Sequence, residues 1–377
     1  MVIGFDAYKA YNNDALRNYC RYVINNLSTI YSENKYRLYT PTIAFRDCIE
    51  GIGMRDDIAF VPPSKVIDKV LPALWQRQTV VRELLRDGVQ LYHGLCNELP
   101  RGLRKKGIRS VVTIHNHRFF HHPEHYPASE CRRFIRKMQQ TCMAADYVVA
   151  VSDYMRRYAI SHLKVDHDKI STIYQGCDSI FLGVASDEEK ERVRRDYSLP
   201  QKFILNVGTI EPCNNLLSAL KALLHLDESI HLVAVGRETP YIAEVKQFAA
   251  DNSLSARLHI RSHVAFYDLP TVYQLAAVFV YPSSCDCFGV PVVEALCAGV
   301  PVVTAGGLSL SEAGGEAVVY INYSDEHSIA QAIIQILAVN RKARRQISLR
   351  GKKHAARFDN NFLAWQMISA YNKAMNQ

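Results

Sequence analysis

Two carboxylates eight positions apart are the residues in this chain best suited to bind a polyol. Asp286 and Glu294 flank a turn that contains Gly289, and a carboxylate there can accept paired hydrogen bonds from a diol. Between them, the backbone amides of Phe288, Gly289 and Val290 precede an apolar segment with helical spacing. Amides at a positive helix end suit a phosphate or the oxygens of a sugar. From spacing alone, a ligand site and plain strand–helix architecture are both open interpretations.

The turn lies between a predicted strand and a predicted helix. The apolar run 276–281 predicts the strand, and Pro291 opens the helical segment. Proline costs nothing in a first helical turn, because its missing N–H would have no intrahelical partner. Gly299 and Pro301 end the helix before a second strand over 300–304.

The order of residues across this turn resembles the nucleotide-sugar motif of retaining glycosyltransferases of family 4, E-G-F-G-x-P-x-x-E-A-x-A-x-G-x-P-V. Asp286 stands at the first Glu and Cys287 at the first Gly. The matching positions are Phe288, Gly289, Pro291, Glu294, Ala295, Ala298, Gly299, Pro301 and Val302. The resemblance extends over nearly the whole chain. It implies an α/β protein of the GT-B fold, with two Rossmann-like, doubly wound parallel-sheet domains facing across a cleft.

Strands and helices alternate along the chain, which indicates parallel sheets with ligands at the carboxyl ends of the strands. Apolar runs predict strands over 2–5, 36–39, 58–61, 91–93, 111–115, 147–152, 170–174, 202–208, 230–236, 276–281 and 300–304. Helical spacing predicts helices over 16–27, 64–75, 76–87, 187–197, 216–225, 241–251, 328–337 and 359–375, besides the helix that Pro291 opens. Ser152 is the predicted N-cap of a further helix.

Four segments follow from this pattern and the resemblance. Residues 1–182 are the predicted acceptor-binding domain, and residues 183–199 the linker. Residues 200–358 are the predicted nucleotide-sugar-binding domain. Residues 359–377 form a helix that crosses back to the first domain.

The resemblance also implies roles for individual residues. His115 matches the family's histidine that meets the donor sugar and its phosphate, although Asn116 replaces the usual Asp. His115 and Asp286 are therefore the predicted catalytic residues, with Asp286 on a sugar hydroxyl. The predicted donor-binding residues are Phe288, Gly289, Val290, Glu294, Gly208 and Arg237.

The chain departs from the family pattern at the donor phosphates. Residues 13–19 contain no glycine where the family has a glycine loop, so the backbone there cannot easily admit a phosphate. Cys213 and Asn214 replace an Arg-Lys pair, each member of which normally makes a charge-assisted contact of about 1.5–3 kcal/mol. Arg237, at a predicted strand end, either substitutes for a lost cation or lies on the surface.

Composition limits the classes of protein that fit. With 377 residues, 48% of them hydrophobic, the chain can form two domain cores. No apolar run approaches 18 residues, and the acidic start does not fit a signal peptide, so we expect a cytoplasmic protein. The ten cysteines include no C-x-x-C pair, which predicts reduced, mostly buried thiols.

The basic excess lies in one half of the sequence. Residues 1–182 contain 26 Lys and Arg against 18 Asp and Glu, whereas residues 183–377 contain 19 of each. This asymmetry predicts an anionic acceptor or peripheral attachment at the inner face of a membrane; a solvated basic face is the alternative. Nucleic acid is disfavoured as a partner, because no recognisable binding module contains these charges.

A histidine cluster follows the fifth predicted strand. Residues 115–125 contain five histidines, a composition that suggests a metal site. Their spacing lacks the i, i+4 pattern of a helical metal site and matches no hydrolase motif, so we predict no metal.

The predicted function is that of a retaining glycosyltransferase. It would move a hexose from a nucleotide diphosphate sugar to a glycan or lipid-linked acceptor in cell-surface polysaccharide synthesis, with no cofactor beyond the donor. One alternative is a weak or inactive homologue that serves as a partner or scaffold, because several phosphate-binding positions are altered together. Another is an enzyme whose donor places its phosphate elsewhere.

Overall fold

The protein is described by a computed structural model that covers residues 1–7, 14–40, 52, 55–115, 126–286 and 288–377. The chain divides into two compact units. The first unit comprises Met1–Gln175 with Asn360–Gln377, and the second comprises Gly176–Asp359. Each unit contains one parallel sheet, so the predicted α/β class with two Rossmann-like sheets is confirmed.

The sheet of the first unit has seven parallel strands in the order β3-β2-β1-β4-β5-β6-β7. The strands are β1 (Val2–Asp6), β2 (Lys35–Tyr39), β3 (Ile58–Val61), β4 (Leu91–Gly94), β5 (Arg109–Ile114), β6 (Tyr147–Ala150) and β7 (Ile170–Thr172). The strand order reverses between β1 and β4, the position at which doubly wound sheets bind ligands. The central strands β1, β4, β5 and β6 are buried along nearly their whole length, which explains why their sequences are mostly apolar.

Six helices of the first unit precede the second unit in the chain. They are α1 (Asp14–Ile30), α2 (Val66–Val70), α3 (Pro72–Leu74), α4 (Val80–Arg86), α5 (Ala128–Ala144) and α6 (Asp153–Ser161). The prediction of two continuous helices over 64–75 and 76–87 is wrong. Pro72 has no amide hydrogen to continue α2, and a π-helical turn, Trp75–Thr79, joins α3 to α4. The predicted cap of α6 is confirmed, since Ser152 Oγ accepts a hydrogen bond from the Met155 amide at 3.2 Å.

The sheet of the second unit has six parallel strands in the order β10-β9-β8-β11-β12-β13. The strands are β8 (Phe203–Val207), β9 (His231–Val235), β10 (Leu258–Arg261), β11 (Val278–Tyr281), β12 (Val302–Ala305) and β13 (Val319–Ile321). All the predicted strands are present in the two sheets, with shifts only at their ends. β10 and β13 are short, partly exposed edge strands that the sequence analysis missed. In β10, His259 and Arg261 interrupt the apolar pattern, and β13 is only three residues long.

Eight helices belong to the second unit, and one more ends the chain. They are α7 (Asp187–Asp196), α8 (Leu216–Ala222), α9 (Ile242–Asp251), α10 (Leu269–Leu275), α11 (Val290–Cys297), α12 (Leu308–Gly314), α13 (Glu326–Ala338), α14 (Arg341–Ala355) and the final helix α15 (Asn360–Met375). The main core of the unit lies between the sheet and α8, α9 and α13, where Leu220, Val245 and Ile333 are buried against Val280.

The division between the units differs from the predicted boundaries. Residues 176–199, predicted as the end of the first domain and a linker, group with the second unit. Phe181 packs edge-on against Tyr273 with ring centroids 5.7 Å apart, and the Ala185 amide donates to Gln274 Oε1 at 3.0 Å. The helix α15 packs on the first unit, where the Tyr371 hydroxyl lies 2.8 Å from His93 Nδ1.

Two further predictions concern thiols and membrane spans. The eight cysteines within the described ranges form no disulfide; they are Cys20, Cys96, Cys131, Cys142, Cys177, Cys213, Cys285 and Cys297. None of the helices in those ranges combines the length and the apolar character needed to cross a bilayer.

Candidate active site

The site of the second unit lies where β8, β9 and β11 end. Gly208 and Gly236 follow β8 and β9, and their turns are in direct contact. A Cβ on Gly236 would lie 1.9 Å from the Gly208 carbonyl oxygen, so only glycine fits there. A Cβ on Gly208 would lie 3.8 Å from the Tyr281 ring, which places Gly208 beside the end of β11. Arg237 follows Gly236 directly, and its side chain is exposed.

Asp286 binds the backbone of its own turn. Its Oδ1 accepts hydrogen bonds from the amides of Phe288 at 3.0 Å and Gly289 at 2.8 Å. A short aspartate reaches amides two and three residues ahead, and the positive end of α11 favours its charge there. Two of the amides predicted to bind a sugar or phosphate are therefore engaged by Asp286 in this structure. The third, that of Val290, belongs to the first residue of α11.

Tyr281 holds the other oxygen of this carboxylate. Its hydroxyl donates to Asp286 Oδ2. The Tyr281 ring is buried, and burial, followed by the charge of Asp286, raises its pKa well above the ordinary value, so the hydroxyl keeps its proton. Ser309 Oγ also donates to the Asp286 carbonyl at 2.8 Å. The carboxylate itself accepts three hydrogen bonds, from two backbone amides and from Tyr281. A carboxylate has about four acceptor positions, so about one is left for a ligand.

Glu294 lies on α11 and is oriented by a second tyrosine. The Tyr273 hydroxyl donates to Glu294 Oε2 at 2.8 Å, and Glu294 itself is half-buried. Burial of Tyr273, followed by the charge of Glu294, raises the tyrosine's pKa well above its usual value, which keeps the hydroxyl a donor. A carboxylate is a group that can accept hydrogen bonds from two adjacent hydroxyls. No sequence pattern indicated Tyr273 or Tyr281, because each reaches its carboxylate from a different element.

Neutral side chains occupy the two positions where the family pattern has cations. Asn214 Nδ2 donates to the Thr209 carbonyl at 2.6 Å, and its Oδ1 lies 3.4 Å from Ser283 Oγ. The Cys213 carbonyl accepts from the Ser284 amide at 2.9 Å. These bonds tie the turn after β8 to the turn after β11. The partners in these three bonds are uncharged, and Cys213 Sγ also lies 3.5 Å from the Glu211 carboxylate.

His115 belongs to the first unit, directly after β5. Only 4% of its surface is exposed, and Nε2 lies 2.8 Å from the Leu95 carbonyl oxygen. Because a carbonyl only accepts, Nε2 carries the proton, and Nδ1 keeps a lone pair. Burial lowers the pKa of His115 to about 4, so the ring is neutral near pH 7. A neutral imidazole can orient a hydroxyl, but it does not supply a positive charge to a phosphate.

Several predicted features lie outside the described residues. They are Cys287, the histidine cluster from 117 to 125 with Asn116, and residues 8–13 of the loop without glycine. Among the residues that are described, His225, Glu326 and His327 have metal-ligating atoms within 4.8 Å of one another. This group shares no residue with the predicted site.

Matches to known protein families cover most of both units. Residues 187–354 match the family described as "Glycosyl transferases group 1", and residues 36–179 match "Glycosyltransferase Family 4". The chain is 30% identical over 286 residues to O-antigen chain mannosyltransferase B of Escherichia coli, a match that covers 74% of each chain. It is 28% identical over 227 residues to O-antigen chain mannosyltransferase RfbU of Salmonella typhimurium, with 60% of each chain covered.

Solved structures share the fold over almost the full length. The Anabaena protein HepE, in complex with UDP and glucose, gives a TM-score of 0.75 at 17% identity and covers 99% of both chains. Sucrose-phosphate synthase from Thermosynechococcus elongatus gives 0.78 at 17% identity, with 99% of this chain and 98% of that one covered. The two parallel sheets and the motif-bearing turn define a glycosyltransferase of the GT-B fold. Within that class, the chain belongs to glycosyltransferase family 4, the group 1 glycosyl transferases.

Proposed function

We propose that this glycosyltransferase transfers a hexose with retention of configuration from a nucleotide diphosphate sugar. The observation that carries the proposal is the Glu294 carboxylate, held by Tyr273 at the end of the sheet where the family's donor motif lies. Glu294 is assigned to the ribose diol. The Val290 amide is assigned to the sugar or its phosphate, and so are the amides of Phe288 and Gly289 once Asp286 releases them. Asp286 is assigned to a sugar hydroxyl.

The proposed reaction separates charge. The bond between the sugar carbon and the diphosphate oxygen breaks, and its electron pair leaves with the diphosphate. The acceptor oxygen then bonds to that carbon and loses its proton. Catalysis in such a step is chiefly electrostatic, because the site must stabilise the departing diphosphate and an oxocarbenium-like sugar. The donor-binding role of Gly208 and Arg237, and the catalytic role of His115, stay predictions from the family motif.

The names and ligands of the relatives support a first choice of donor and acceptor to test. Two of them are named as O-antigen chain mannosyltransferases, and HepE was solved with UDP and with UDP-glucose. We propose mannose as the first hexose to test, and a glycan or lipid-linked acceptor of cell-surface polysaccharide synthesis. The enzyme would work at the cytoplasmic side of a membrane as a peripheral protein, with no cofactor beyond the donor.

A thermal-shift panel tests the donor assignment. UDP, GDP, ADP and CMP, each with and without its sugars, are added to the full chain in the absence of metal. We expect one nucleoside diphosphate and its sugar to raise the melting temperature. Transfer from that donor to a glycan acceptor, followed by NMR of the new linkage, then tests retention. A product of inverted configuration would contradict the proposed mechanism.

A second candidate is a weak or inactive homologue that acts as a partner or scaffold. Two observations favour it: Asp286 engages the amides assigned to the donor, and Cys213 and Asn214 replace two cations. If nothing replaces them, the lost contacts cost about 3–6 kcal/mol, or about 100- to 10,000-fold in rate. Calorimetric binding of a nucleoside diphosphate separates the candidates. An absence of binding for every nucleotide in the panel would support the scaffold.

A further inference from the structure

The segment 65–77 of the first unit, which we call the docking segment, exposes aliphatic side chains to solvent. Val66 is 76% exposed, Ile67 63% and Val70 70%. Leu71 and Leu74 extend the same apolar surface. Single exposed aliphatic residues are ordinary, but five within nine residues form a patch of the kind that marks an interaction site.

Buried polar contacts fix this outward orientation. Asp68 is only 5% exposed and accepts a hydrogen bond from Thr79 Oγ1 at 2.7 Å. Gln76 is 7% exposed and donates to Asp6 Oδ2, at the end of β1, at 2.7 Å. Trp75 is buried in the core beside these residues. Asp68 and Gln76 of the docking segment therefore point inward, while its aliphatic side chains point outward.

Exposed cations flank the aliphatic side chains. Lys65 and Lys69 lie within the patch, and Arg77 follows it by one helical turn. The Arg77 carbonyl accepts from the Arg101 amide at 2.8 Å, which joins the segment to a neighbouring groove.

That groove, between α5 and the residues before β5, is strongly basic. Its lining includes Arg77 and Arg101 and six further basic residues, among them Arg132 and Arg136 on α5. Among the described residues, the acidic ones that line it are Glu98 and Glu130, and Glu98 forms an ion pair with Lys137. The basic excess of the first half of the chain is therefore concentrated next to the apolar patch.

We infer that the docking segment inserts its aliphatic side chains into the surface of an anionic phospholipid bilayer. A short apolar face flanked by lysines binds at the headgroup boundary, and basic residues near it add attraction to anionic lipid. The groove would lie over the headgroups. This charge complementarity is why we choose an anionic bilayer rather than a second protein chain. The inference deepens the membrane-associated part of the proposed function, and it rests on that part.

Co-sedimentation of the full chain with vesicles tests the inference. The vesicles contain either phosphatidylcholine alone or phosphatidylcholine mixed with phosphatidylglycerol. We expect binding to the mixed vesicles, and a loss of about tenfold or more in affinity for I67Q/V70Q. The matched control is I334Q/L349Q, which removes two exposed aliphatic side chains from α13 and α14 and should bind like the wild type. Equal binding of wild type and I67Q/V70Q would overturn the inference.

Two further measurements separate the alternatives. K65Q/K69Q should weaken binding to the mixed vesicles at low salt, with little effect in high salt, where the charges are screened. Light scattering reports self-association: if I67Q/V70Q disrupts an oligomer and leaves vesicle binding unchanged, the patch is an interface between copies and the inference fails. Vesicle binding needs no donor or acceptor, so its outcome is independent of whether the nucleotide panel supports a transferase.

Discussion

The hydrogen bond between Tyr273 and Glu294 gives the sharpest test of the donor site. Replacing Glu294 by alanine removes a half-buried carboxylate from α11. If that carboxylate accepts both hydroxyls of a ribose diol, its loss leaves them without acceptors, at a cost of about 2–4 kcal/mol. Nucleoside diphosphate affinity should therefore fall by about 30- to 900-fold.

Replacing Tyr273 by phenylalanine should have a smaller effect of the same sign. The carboxylate remains, but it loses the donor that orients it, worth about 1 kcal/mol or about fivefold in affinity. The order of affinities should therefore be wild type, then Y273F, then E294A. Isothermal titration calorimetry with the nucleotide chosen from the panel measures all three proteins.

Glu191 provides the control, because it is an exposed glutamate on α7 in the same unit. E191A should bind nucleotide like the wild type. If folded E294A also binds within about twofold of the wild type, the assignment of Glu294 to the diol is refuted.

Three further predictions concern other residues. Cys213→Arg should tighten the binding of nucleoside diphosphate more than that of nucleoside in calorimetry, because only the diphosphate carries the charge that the new side chain meets. Equal gains for both ligands would contradict this reasoning. Adding Asn214→Lys should lower the melting temperature, since it breaks the hydrogen bond from Asn214 to the Thr209 carbonyl. Burial lowers the pKa of His93 to about 3 from an ordinary value near 6.5, so the neutral ring stabilises the fold above pH 6.5, and that stability is lost as the pH falls toward 3, by up to about 1.4 kcal/mol per pH unit. In denaturant unfolding, the free energy of unfolding should depend less steeply on pH for H93Q than for the wild type. Equal slopes would exclude His93 as a source of this pH dependence. Gly289→Ala should lower stability by about 1–3 kcal/mol, because φ is 96° and a Cβ would lie 2.6 Å from a leucine side chain, whereas Gly183→Ala, with 3.5 Å of clearance, should be near neutral in thermal unfolding.

The local sequence determined the elements around the site. The apolar run before Tyr281, Pro291 in the first turn of a helix and Gly299 after it predicted β11, α11 and β12 in the right order. Such signals are reliable because they depend on neighbours in the chain: strand and helix periods, a missing amide and a glycine at positive φ. The family motif then indicated which of these turns binds a ligand.

Hydrogen bonds between side chains on different elements were decided only by the tertiary structure. Tyr273 and Tyr281 reach Glu294 and Asp286 from α10 and β11, and neither contact follows from residue spacing. The bonds from Asp286 to the following amides depend on the length of one side chain and on the exact path of its turn.

The docking segment shows the same limit of prediction from residue spacing, over a longer stretch of chain. Helical spacing predicted helices over 64–75 and 76–87, but it did not indicate whether aliphatic residues such as Ile67 and Val70 face the core. In the folded chain they point outward, because Asp68 and Gln76 find their hydrogen-bond partners inside. A periodic pattern determines which residues share a face. Which face is covered is decided by the rest of the protein, since burial depends on what packs against it.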